Sequence, residues 1–367
     1  MLFATNDVRC CIFAYDYGIE MRRLVPLLYF CCSFIWGQAQ IVINEVMQAN
    51  LYVYDEYKEL PESWVEIYNL GDEAFPLEGY RVLYENEMFE FDSADFVQPH
   101  AFFMVYCDEK DAGNHAKFKL KTDKKTTMAL LSPSGEVVDE FVIPIMKQAG
   151  VSYGRDADDG SQNGWLVSAT PLAINSSVGS RFLPKPKLME ESGWFYSDFT
   201  VHLDEMKDGV TVRYTLNGSE PTSDSEAMQD SMTLSCSSVL RLRAFSNGCI
   251  PSETSTYSFL FPEREITLPL FSITTNQDAL YGENFGIFSD KLQADSLRNY
   301  EHDWHRCAYV EFFMEDGTKI LDQPCELRVM GGTSRNHPQK SLSLYSRKRL
   351  SGGDFLCSLW NEKAHIG

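Results

Sequence analysis

From residue 40 onward the chain alternates between apolar and polar positions with a period of two. The runs Ile41 to Val46, Trp64 to Asn69, Ala101 to Tyr106 and Val137 to Ile143 are short and rich in β-branched and aromatic residues. Such runs predict half-buried strands, because successive side chains of an extended backbone point to opposite faces of a sheet. Turn formers separate them, as at Asn69 to Asp72 and Ser132 to Gly135. No long stretch carries a helical period. Many short strands with turns between them predict antiparallel two-sheet sandwiches.

The same alternation resumes at Phe199 to Leu203, Val210 to Leu216 and Val239 to Phe245, after the proline-spaced stretch Leu183 to Lys187. Proline lacks an amide donor and resists both helix and sheet pairing, so 179–187 reads as an interdomain linker, open to proteolysis. Asn217 and Gly218 predict a tight turn between two strands. A third segment opens at Leu268 to Ile273 and continues through Tyr309 to Phe313 and Cys325 to Met330 into Gly331, Gly332, Thr333, Ser334 and Arg335, with Lys340 to Leu344 after them. Its grammar is strand, glycine turn, basic residue, strand. Glycines let backbone amides approach a ligand, and a Lys/Arg pair supplies the charge that phosphate oxygens need. Lys and Arg also mark the solvent faces of edge strands, so the residues alone leave both readings open.

Length agrees with this partition, since 367 residues exceed one ordinary core. Charge narrows the function: 32 Lys+Arg against 53 Asp+Glu give a net charge of −21, which repels phosphate backbones and excludes a general nucleic-acid binder. Residues 328–367 reverse that sign locally.

The first 39 residues read as an upstream extension and then a secretory leader. Arg22 and Arg23 precede the apolar run Leu24 to Trp36, and Gly37 and Ala39 are small residues where a signal peptidase needs them. Cleavage is expected after Ala39, Met21 is read as the start, and no transmembrane segment remains once the leader is gone. Of the six later cysteines, Cys236 with Cys249 and Cys307 with Cys325 are the nearest pairs, and burial as small hydrophobes is the alternative. No cysteine or histidine spacing suggests a structural metal, and no nucleophile motif is present.

Three resemblances attach to these residues. Asn44, Glu45, Trp64 to Asn69, Leu77 to Tyr80, Ser152 to Arg155, Trp165, Thr170 and Pro171 make residues 40–178 similar to a lamin-tail domain of the bacterial exported type. That resemblance implies an immunoglobulin-like sandwich used for adhesion or interaction. Asn44, Glu45 and Glu66 are read as bonding adjoining loops rather than as catalytic carboxylates or cation ligands. Tyr214 to Thr222, Arg241 to Phe245 and Pro251 to Thr254 make residues 188–262 resemble the C-terminal sandwich of chitobiase and β-hexosaminidase enzymes, an accessory module there. Glu220 alone does not suffice for glycoside hydrolysis. Trp194, Phe195 and Tyr196 read as packing before sugar binding.

Residues 263–367 resemble the front part of the CotH kinase family through Phe285 to Phe288, Trp304, Arg306, the Gly331 to Arg335 turn and Gln339 to Leu342. The resemblance implies an incomplete α+β kinase-like N-terminal lobe. Gly331, Gly332, Ser334, Arg335 and Lys340 are its candidate nucleotide-binding residues. ATP and Mg²⁺ belong to the complete domain of that family. The carboxylates that would hold Mg²⁺ and the acceptor hydroxyl have no counterpart up to Gly367, so no catalytic residue, cofactor or metal site is expected here. Asp354, in a glycine loop, reads as a turn residue.

The expected fold class is therefore mainly β: tandem immunoglobulin-like sandwiches with the kinase-like segment after them. The expected function is that of an exported, secreted or cell-surface protein of adhesion type, with protein, envelope or glycan partners. An accessory carbohydrate-binding protein is the alternative.

Overall fold

The computed structural model describes residues 40–51, 62–157, 160–351 and 354–355. The expected leader, the start at Met21 and Cys357 lie outside them. The described residues from Gln40 onward belong to one compact unit. Among the described residues the longest α-helix is Gln277–Tyr281, five residues, and no helix is long and apolar enough to cross a membrane.

Residues 40–178 fold as a two-sheet sandwich. One sheet has six strands, in the order Asn163–Trp165, Tyr153–Arg155, Ile41–Met47, Ser63–Asn69, Phe102–Cys107 and His115–Ala116. The other has four: Val137–Ile143, Thr126–Leu131, Arg81–Tyr84 and Glu87–Glu90. Ile41, Ile43, Val65, Ile67 and Val105 meet Val82, Met128, Leu130 and Phe141 between the sheets, all buried. Burying each such side chain contributes about 1.5–3 kcal/mol against the entropy of ordering the chain. A bulge departs from the simple alternation. Ile43 pairs with Ile67 but Glu45 pairs with Glu66, leaving Asn44 as an extra residue. Glu45 and Glu66 thereby share the outer face of the six-stranded sheet.

The second sandwich places a five-stranded sheet, centred on Ser238–Phe245, against the pair Phe199–His202 and Ser231–Leu234. Val201 and Leu234 pack on Val212, Leu240, Leu242 and Phe259. Asn217 and Gly218 do not close a two-residue hairpin. The Asn217 side chain instead accepts the Ser219 amide at 3.1 Å, Gly218 takes φ +79°, and the next strand starts only at Glu226. The Asn217 side chain forms an Asx turn by accepting from the Ser219 amide and hydroxyl, while Asn217 bridges Val239 in parallel.

The 179–187 stretch is laid against this second sandwich rather than hanging free. Phe182 bridges Ile250, the Leu183 amide donates to the Ile250 carbonyl at 3.1 Å, and Leu183 and Pro186 are buried. Its prolines interrupt pairing, but the residues between them find backbone partners. Ile250 completes a buried cluster with Val151 and Trp165 that joins the first two sandwiches.

The third segment is a four-stranded antiparallel sheet in chain order: Leu270–Thr274, Arg306–Phe313, Lys319–Met330 and Ser341–Tyr345. Ala308, Val310, Phe312, Leu321 and Leu327 line one face under Ile287, Tyr300 and Trp304. The other face docks on the second sandwich. There Trp194 meets Phe313 at 5.9 Å between ring centroids, Ser258 and Ser272 share a hydroxyl hydrogen bond of 2.6 Å, and Lys319 reaches Glu191 at 3.4 Å.

Candidate functional site

The bulge at Asn44 builds the first polar constellation. Asn44 donates to Glu66 Oε1 and to Asn175 Oδ1, both at 2.8 Å. The Thr170 hydroxyl and amide donate to Glu45 at 2.8 and 3.1 Å, and the Leu172 amide donates to Glu66. Both carboxyls are fully buried. Burial raises both above the ordinary carboxylate range, Glu66 to about 8. These side chains pin the 168–176 loop across the outer face of the sheet, and thus bond adjoining loops as expected.

The glycine turn of the third segment is exposed from Gly331 through Ser334. Gly331 has φ +119°, a conformation that favours glycine, and a Cβ there would collide with Ser334 Oγ. Arg335 directs its nitrogens into the protein: to the carbonyls of Gly331 and Glu301, each at 2.7 Å, and to Asp303 at 2.6 Å. That guanidinium holds the Asp303 carboxyl below its usual range. Lys340 donates to the Arg335 carbonyl at 2.7 Å and sits 3.6 Å above the centre of the Tyr300 ring. Both cations of the proposed phosphate pair therefore close the turn on itself, and this arrangement does not present a ready phosphate cradle. Among the described residues no group of three His, Cys, Asp or Glu converges to hold a metal ion.

The basic stretch that suggested a phosphate surface is largely neutralised from elsewhere. Arg328 reaches Asp303 at 3.4 Å, and buried Glu326 receives Arg347 at 2.9 Å, Arg349 at 2.5 Å and His305 at 3.1 Å. Burial opposes ionisation of Glu326, yet these partners hold its pKa down to about 2. Arg349 also donates to the Asn50 carbonyl, which ties the third segment to the first sandwich. Counting charge along residues 328–367 missed this because the acids precede the count. Glu326, set between Cys325 and Leu327 in the strand Lys319–Met330, was the available signal.

The aromatic trio divides by role. Trp194 packs on the third segment, Phe195 stacks on Phe199 at 3.8 Å, and Tyr196 is exposed. Cys107, Cys236, Cys249, Cys307 and Cys325 are free. Cys307 pairs across the ladder with Glu326, and Cys325 with Ala308, so the two cysteines face opposite sides of one sheet and do not bridge. Glu220 is held by Arg241 at 2.5 Å and accepts the Thr254 hydroxyl, an internal ion pair rather than a free carboxylate.

Sequence reasoning missed one further feature. A cleft of about 750 Å³ opens where the three segments meet, walled by Gln148 and Gly150 of the first, Glu220 and Arg243 of the second, and Asn276 and Tyr309 of the third. No single-segment pattern encodes it.

Fold and site together define a mainly β protein of two tandem β-sandwiches and a third, four-stranded sheet. A family model for the lamin tail domain matches residues 37–144, and one for the chitobiase/beta-hexosaminidase C-terminal domain matches residues 190–256. Both matches lie outside the third segment. No curated protein matches the chain. Among solved structures, fibronectin(III)-like modules of CbhA from Clostridium thermocellum match with 8% identity over 55% of this chain and 85% of that one, at a TM-score of 0.18.

Proposed function

We propose that this chain is an exported surface protein of adhesion type, in which two sandwiches and a CotH-like segment form one display body. One observation carries the reading: the three segments are docked on each other through buried contacts, Ile250 on Trp165 and Trp194 on Phe313, rather than strung on open linkers. A rigid array of sandwich loops suits presentation of binding surfaces. The test is export. A tagged full-length chain expressed in a bacterial host is expected in the exported fraction with Gln40 as its first residue. Retention in the cytosol with Met1 or Met21 intact would overturn it.

Within that body, nucleotide contact at Gly331, Gly332, Ser334, Arg335 and Lys340 is the narrower proposal. What supports it is the exposed turn, where a side chain added at Gly332 would meet nothing within 4 Å, so that ligand approach to the backbone is open. ATP with Mg²⁺ would have to displace the contacts of Arg335 and Lys340, so the proposed affinity is weak, with no phosphate transfer.

A second reading is an accessory carbohydrate-binding protein with glycan or envelope partners. It is supported by the match of residues 190–256 to the chitobiase/beta-hexosaminidase C-terminal domain. Retention of the chain on insoluble polysaccharide is its test.

A further inference from the structure

We infer that the cleft at the three-segment junction is a binding site for a short, uncharged saccharide. The inference rests on the carbohydrate reading above and assigns it a place that is neither the exposed aromatic residue Tyr196 nor either sandwich by itself.

The lining decides the ligand class. Its charges nearly cancel: Arg241 and Arg243 face Glu220 at 2.5 and 3.7 Å, and beyond that group Lys185 and Arg306 stand with Glu253 and Asp278 along the wall. An ionic ligand therefore finds little uncompensated charge. What remains is amide and guanidinium capacity. Asn276 accepts the Glu220 amide at its Oδ1 at 3.0 Å, Gln148 donates to the Pro251 carbonyl at 3.1 Å, and Arg243 donates from Nε to the Ser252 carbonyl at 3.0 Å. The Asn276 bond leaves that side chain's NH2 as donor, the Gln148 bond leaves its amide oxygen as acceptor, and Arg243 brings donors only. Together these groups, held in fixed orientations, offer donors and an acceptor to adjacent hydroxyls.

Between the polar groups the wall is apolar, with Phe285, Tyr309, Ala308 and Pro324. A purely apolar ligand would leave the amides without partners on closing out water, at a cost of about 1–3 kcal/mol each. A saccharide ring carries hydroxyls around its edge and C–H groups on its faces, so it satisfies both kinds of surface at once. About 750 Å³ falls within the ~300–1,000 Å³ range of small-molecule sites. Because all three segments contribute, the site exists only in the docked arrangement.

Calorimetric titration of the chain from Gln40 onward with cellotriose, maltotriose and tri-N-acetylchitotriose, and with trigalacturonate as an acidic comparator, tests the assignment. At least one neutral trisaccharide should bind saturably. Gln277→Trp, an exposed position at the cleft wall, should abolish that binding without moving the melting temperature, and Asn276→Ala should weaken it about tenfold, the effect of losing one hydrogen bond to the ligand. Binding of trigalacturonate alone would replace the uncharged ligand by an anion and sink the assignment. Neutral binding untouched by either variant would overturn the site but leave the carbohydrate reading standing. No binding of any saccharide, together with no retention on polysaccharide, would remove both.

Discussion

Glu45 and Glu66 stand directly opposite each other on neighbouring strands, buried on the outer face of the first sandwich, and each receives a backbone amide from the same loop. Two carboxylates so placed cannot both ionise cheaply.

Stability should accordingly depend on pH in a defined direction. Burial raises the Glu66 pKa from 4.5 to about 8, so the folded state binds the proton more tightly than the unfolded chain does. This contribution is complete below about pH 4.5 and is lost as pH rises through 8. Melting temperature measured from pH 5 to pH 9 should show a falling component that Glu66→Gln flattens. The slope is the readout, because glutamine also changes which atom faces the Leu172 amide. An unchanged slope in the variant would mean that Glu66 is ionised in the fold.

Asn175 is the other half of the clasp. It accepts from Asn44 at 2.8 Å and donates to the Arg155 carbonyl at 2.8 Å. Asn175→Ala leaves buried donors and acceptors unpaired and should cost about 2–3 kcal/mol in urea denaturation. Ser176→Ala, at a half-buried position in the same loop where the hydroxyl bonds only the Ser168 backbone, should cost well under half of that. Equal costs would point to the loop backbone rather than the clasp.

Glu326 titrates with the opposite sign. Its folded pKa of about 2 lies below the ordinary 4.5, so its contribution is present above about pH 4.5 and disappears as pH falls toward 2. Glu326→Gln leaves Arg349, Arg347 and His305 without their shared carboxylate and should destabilise the third segment by about 3–5 kcal/mol at neutral pH. Hydrogen exchange across Lys319–Met330 reports this locally. Wild-type protection there would contradict the network.

The strands themselves were legible. Ile41 to Val46 and Val137 to Ile143 appear as Ile41–Met47 and Val137–Ile143, because β-branched alternation against a buried face admits little else. The bulge at Asn44 was not legible, since an inserted residue leaves composition unchanged while turning every later side chain of the strand to the other face. Arg335 and Lys340 looked like free cations because their partners, Asp303 and Tyr300, lie more than thirty residues upstream. The cleft was hidden for the same reason: its walls are brought together by docking, and docking surfaces have no period.

For the glycine turn, the geometry predicts that stability and nucleotide binding respond together. Lys340→Ala removes a cation held 3.6 Å above the Tyr300 ring and a hydrogen bond to the Arg335 carbonyl, so the melting temperature should fall. Any magnesium-assisted ATP binding, read by fluorescence titration, should weaken as well. Undiminished ATP affinity in this variant would place nucleotide contact away from the turn.

The junction between the sandwiches yields the last prediction. Ile250 is 1% exposed and packs with Val151 and Trp165, while Phe182 bridges its backbone and meets the Trp165 ring edge-on at 5.8 Å between centroids. The approach is so close that a Cβ on Gly179 would collide with the Ile250 side chain. These contacts, not chain stiffness, hold 179–187 in place, so the stretch should resist limited proteolysis and the two sandwiches should melt in one transition. Ile250→Ala opens a cavity at the junction and should cost about 2–4 kcal/mol. Because the lost contacts lie between the sandwiches, calorimetry of the variant should resolve two transitions, and cleavage should begin within 179–187. Rapid cutting of the wild-type chain at Lys185 or Lys187 would show instead that the docked stretch opens readily, and that the sandwiches are coupled only through the third segment.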